Sequence, residues 1–140
     1  GNYKMPALER IEKKELKNVV ALLILDSKHL MERIVERKLE YISEFSLKRT
    51  REHFKEIFFS RYREVKASDL KKLSSEMIVC LDEFYSLVEE FYWYLMHTQD
   101  MTQGVETQST LFIKKLRVSF AQLENYLAAE LEILEESTRS

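Results

Sequence analysis

Leu70 to Leu95 reads LKKLSSEMIVCLDEFYSLVEEFYWYL, and its apolar stripe falls at Leu70, Leu73, Met77, Cys80/Leu81, Phe84, Val88, Phe91 and Leu95. Steps of three and four residues keep these side chains on one face of a helix, whereas a strand would need alternation. Ser68 and Asp69 offer an N-cap just before the stripe, and Gly104 offers a C-terminal stop. The spacing therefore predicts one long helix running to about Gln103.

Downstream, Thr98 to Thr110 (TQDMTQGVETQST) has the chain's only loop-like composition. Ser109 or Thr110 then caps a further expected helix with its stripe at Ile113, Leu116, Phe120, Leu123, Leu127, Leu131 and Leu134. The last residues, Ser137 to Ser140, are expected to fray.

Upstream, Pro6 suits a helix start, where its missing N–H has no intrahelical partner. Leu8, Ile11, Leu16, Val19 and Leu23 then share a broad face to about Leu25. The run Val19 to Leu25, VALLIL after its first valine, is apolar on every side. Such a segment needs cover on every side, from its own bundle or from another subunit. Asp26 or Ser27 could cap a second helix, but neither has a glutamate three residues on, so a first helix that continues unbroken is the alternative.

Beyond Leu30 the expected buried positions are Met31, Ile34, Val35, Ile42 and Phe45, then Leu47, Phe54, Ile57, Phe58, Tyr62 and Val65. At 100° per residue these two sets point about 170° apart. A single helix across both would present opposite faces to the core, so a break is expected between Ser43 and Thr50.

The 140 residues hold glycine only at 1 and 104 and proline only at 6. Strand-to-strand turns need far more of both. The class is therefore all-α: one domain over 1–140, an elongated antiparallel bundle of four main helices. With 45% hydrophobic and 33% charged residues the chain can fold around a core rather than stay disordered. The longest apolar run is seven residues, against the ~20 that span a bilayer. A lone cysteine, Cys80, gives no intramolecular disulfide, and a cytoplasmic location is expected.

Charge is segregated. Lys48 to Lys72 carries nine Lys/Arg against four acids, whereas Leu73 to Ile113 carries seven acids and no cation. Lys48, Arg49, Arg51, Lys55, Arg61 and Arg63, interleaved with aromatics, form the candidate basic surface of a nucleic-acid-binding regulator. Against that reading, Glu52, Glu56 and Glu64 repel phosphate. An antiparallel hairpin would bring Arg51 and Lys55 level with Glu83 to Glu90, so that the two segments neutralise each other.

No signature of catalysis accompanies these features. The chain has no Glu-x-x-His pair of the kind that holds metals in helical bundles; His53-Phe-Lys-Glu56 stands alone. His29-Leu-Met-Glu-Arg33 lacks the lysine and glycine that phosphotransfer histidines usually show next. Phosphate loops and nucleophile elbows need glycines that are missing. Neither a metal nor a cofactor is expected, and the chain is read as a non-enzyme.

The leading expectation is an interaction module or small regulatory adaptor that self-associates, most simply as a dimer. A nucleic-acid regulator comes second, and a ligand-sensing bundle, resting on the Tyr/Phe/Trp wealth of the long helix that runs to about Gln103, third. Trp93 points about 170° away from its helix's stripe, in line with Val79, Ser86 and His97. These four mark the candidate partner interface.

Overall fold

The computed structural model describes residues 6–43 and 51–139. Among them every regular element is helical: α1 (Ala7–Glu36), α2 (Lys38–Ile42), α3 (Phe54–Phe58), a 3-10 turn (Tyr62–Glu64), α4 (Ala67–Leu70), α5 (Ser75–His97) and α6 (Thr102–Thr138). The all-α class holds. Of the four main helices expected, α1, α5 and α6 are long. The second position in chain order is filled by the short pieces of residues 51–74.

α1 passes straight through Asp26 and Ser27. Ser27 Oγ bonds back to the carbonyls of Leu23 (2.8 Å) and Ile24 (3.2 Å), so it serves the helix from within instead of capping a new one. The helix gives way at Arg37 and ends after Ile42, where Ser43 turns extended. The expected break thus begins at its predicted edge, and residues 44–50, with the expected core residues Phe45 and Leu47, lie outside the described residues.

α5 starts later than expected. Ser74, not Ser68 or Asp69, is its N-cap, the Oγ accepting from Met77 N at 3.2 Å. Ala67–Leu70 is a separate single turn, and the chain then buries Leu73 before α5 begins. The start of α6 also departs from expectation. Gly104 lies inside α6 with ordinary helical φ, and only Thr98 to Met101 connect it to α5. A Cβ on Gly104 would sit 3.3 Å from Asp100 Cβ, and Asp100 Oδ2 takes the Tyr94 hydroxyl at 2.7 Å. The glycine lets that connection close tightly; it does not stop a helix. Thr107 and Thr110 bond back to carbonyls four residues earlier, so their loop-like composition is absorbed by the helix.

Ring contacts fix the directions. Phe84 meets Phe120 and Phe91 meets Phe112, at 5.8 and 4.8 Å, so α5 and α6 are antiparallel. Lys17 reaches Glu135, and Ile24, two turns on, lies with Ala128 and Leu131, so α1 is antiparallel to α6 as well. α1 and α5 are parallel: Asp26 bonds Tyr85, and Tyr41, just past α1, meets Phe91. Residues 51–65 descend between them, with Arg51 beside Leu95, Phe58 beside Phe91 and Tyr62 beside Tyr85. One core cluster joins all these layers, with Phe54, Phe84, Phe91 and Tyr41 fully buried at its centre.

The stripes of α5 and α6 lie where the periodicity placed them, apart from partly buried Leu70, Phe120 and Leu131. Leu8 and Ile11 do not: they are 69% and 54% exposed. At about 1.5 Å per residue α6 is roughly 20 Å longer than α5, leaving its C-terminal end paired with α1 beyond the start of α5.

Candidate functional site

Asp26 organises the middle of the molecule. Its carboxylate accepts from Ser60 Oγ (2.8 Å), Arg61 N (2.9 Å) and the Tyr85 hydroxyl (2.7 Å), tying α1, the descending segment and α5 together. Burial, followed by the Asp26 charge, pushes the Tyr85 phenol well above the ordinary tyrosine range. Sequence reading missed this role; the only signal was an acid directly after seven apolar residues.

The candidate basic surface is divided by its own bonds. Lys48 and Arg49 lie outside the described residues. Arg51 Nη1 donates to the carbonyls of Leu95 and Thr98, both at 3.0 Å, and so closes the C-terminus of α5. Arg63 pairs with Glu89 at 2.9 Å, whereas Lys55 and Arg61 stay exposed. Of the expected levelling with Glu83 to Glu90, Lys55 does come level with Val88 and Glu89, whereas Arg51 lies beyond them at Leu95, and the ion pair to Glu89 is made by Arg63. Arg33, which the sequence singled out only as a neighbour of His29, donates to the carbonyls of Ile57 and Phe59 and holds the end of α3.

Val79, Ser86, Trp93 and His97 do share one outer side of α5. Trp93 is 63% exposed and stacks on His97, with ring centroids 4.5 Å apart. Val79 and His97 are exposed, and Ser86 is half-buried at the edge of a groove of about 700 Å³ between α5 and α6. Acids flank this side at Asp82, Glu83, Glu89 and Glu90. Cys80 is buried, with its thiol pushed up by burial and by the Glu83 charge.

A second surface emerges at the other end of the bundle. Leu8, Ile11, Leu22 and Leu25 all stand exposed within about 100° of arc on α1, well away from its core stripe. Tyr126 and Ile133 stand exposed some 20° apart on α6. Their angular offset from the core has the same sign on both helices. Because the helices are antiparallel, equal offsets turn both sets to one side of the pair. Leu22 and Leu25 belong to the all-round apolar segment, and the chain's own bundle leaves them 37% and 53% exposed. Only Glu15 puts a charge in the middle of that arc.

Between residues 55–63 and α5 lies a pocket of about 240 Å³ walled largely by aromatic rings. No group of three or more potential metal ligands occurs among the described residues, and no helix among them is long and apolar enough to cross a membrane. No family model, curated protein or solved structure matches the chain.

Proposed function

We propose that this chain is a non-enzymatic interaction module, an elongated antiparallel bundle that self-associates as a dimer in the cytoplasm. The observation that carries the reading is the exposed apolar side of the α1/α6 pair. Leu8, Ile11, Leu22 and Leu25 from α1 and Tyr126 and Ile133 from α6 are all large and at least 37% exposed. At about 100 Å² apiece they offer roughly 600 Å² per copy, most of the ~800 Å² that each partner of a standard interface buries. A second copy fits this surface by shape: two helix pairs meeting on a twofold axis complete a four-helix arrangement at an end where each chain alone supplies only two. The outer side of α5, with Val79, Ser86, Trp93 and His97, is the other surface this reading offers to a partner.

Light scattering coupled to gel filtration tests the proposal on three proteins. The unaltered chain should run as a dimer, the Leu22→Glu/Ile133→Glu variant as a monomer of unchanged helicity, and Trp93→Ala as a dimer. Dissociation by Trp93→Ala alone would move the interface to α5. A monomer of the unaltered chain at high micromolar concentration would end the reading.

A further inference from the structure

The aromatic pocket has a composition that the self-association reading does not use. Val88, buried on α5, forms its floor one turn from both Tyr85 and Tyr92. Tyr62 stacks flat on Tyr85 at 4.1 Å with 1° between the rings, making one wall; Phe58 and Tyr92, 5.6 Å apart, make the other. Asp26 already takes the Tyr85 hydroxyl, so that residue presents its ring rather than its polar end. About 240 Å³ of apolar space suits a single aromatic ring with a short substituent.

The rim decides the sign of the charge. Arg63 and Glu89 line it but satisfy each other at 2.9 Å. Lys55 also lines it and has no ion pair among the described residues. Of the charged residues that line the pocket, Lys55 is therefore the one without an ion pair among the described residues. A cation would gain the ring faces but meet the Lys55 ammonium. An anion would gain both the apolar walls and a charge-assisted bond.

We propose that this pocket binds a small aromatic monoanion, its ring between the Tyr62/Tyr85 and Phe58/Tyr92 walls and its carboxylate on Lys55. None of the residues that line the pocket belongs to the α1/α6 surface, so its occupancy and the oligomeric state are separate readouts. The test is a titration of the full chain with benzoate, benzyl alcohol and benzylamine, followed by backbone amide NMR shifts. Benzoate should give saturable shifts centred on Val88 and Tyr92, with a Kd on the order of 0.1–1 mM for a ligand of this size. Benzylamine should bind at least about tenfold more weakly. Lys55→Gln, a surface change, should weaken benzoate about tenfold and leave benzyl alcohol unchanged. Three results would overturn the proposal: no shifts at Val88 with 10 mM benzoate, benzylamine binding as tightly as benzoate, or a Lys55→Gln protein that keeps full affinity for benzoate.

Discussion

Replacing Asp26 by alanine should cost this protein a large part of its stability without touching the apolar core. The carboxylate accepts three hydrogen bonds, from Ser60, Arg61 and Tyr85. A bond to a charged acceptor contributes about 1.5–3 kcal/mol where it is sheltered. The Arg61 N–H is exposed and adds little, so the Ser60 and Tyr85 bonds set the scale at about 3–4 kcal/mol. Part of that is the loss of the charged acceptor of the Tyr85 hydroxyl, in a residue only 4% exposed. A domain of this size holds about 5–15 kcal/mol in all. At roughly 4 °C per kcal/mol the midpoint should fall by about 12–16 °C. Urea unfolding followed by circular dichroism gives the free energy directly. A double-mutant cycle with Tyr85→Phe should show about 1–2 kcal/mol of coupling between the two residues. A loss below about 1 kcal/mol, or no coupling to Tyr85, would refute the view that Asp26 ties the three elements together.

Arg51→Ala removes two bonds to the last carbonyls of α5 and should cost about 1–2 kcal/mol in the same urea experiment, with the molar mass by light scattering unchanged. Tyr41 and Tyr85 both have phenol pKa values raised by burial. Their contribution is fully present below the unfolded tyrosine value near 10 and is lost as pH climbs from there through the folded values. Unfolding free energies from urea should therefore fall above about pH 10, by about 1.4 kcal/mol per pH unit for each tyrosine. Tyr41→Phe should remove about 1.4 kcal/mol per pH unit from that slope. Glu15→Leu, which removes the one charge from the exposed arc of α1, should tighten self-association about tenfold by sedimentation equilibrium; weaker association would mean that Glu15 faces a cation of the partner.

Periodicity gave the core faces of α5 and α6 because each is covered along most of its length, which is what a regular stripe records. The same rule misplaced Leu8 and Ile11. A stripe reports that a helix is amphipathic and says nothing about where its covering neighbour stops. Cap choice failed at Ser68 because Ser74 competes with it, and tertiary burial of Leu73 decides between the two. Gly104 was read as a stop by local preference, yet its value lies in the close approach of Asp100, a contact that sequence spacing does not show. The charge segregation was plain, but its partners were not. Arg51 lies beside Leu95 and Arg63 beside Glu89 because residues 51–65 descend as short turns, and a continuous helix would have set a different register. Of the candidate sites, the Trp93 side of α5 was legible as a helix face. The aromatic pocket was not, since Lys55, Phe58 and Tyr62 meet Tyr85, Val88 and Tyr92 only through that irregular descent.

Sedimentation equilibrium of the unaltered chain across a hundredfold dilution from about 100 μM measures self-association with nothing else changed. A mass of twice 16.8 kDa at the concentrated end, falling toward 16.8 kDa on dilution and held at 16.8 kDa throughout by Leu22→Glu/Ile133→Glu, is the result this account predicts. A constant 16.8 kDa for the unaltered chain at every concentration would contradict it.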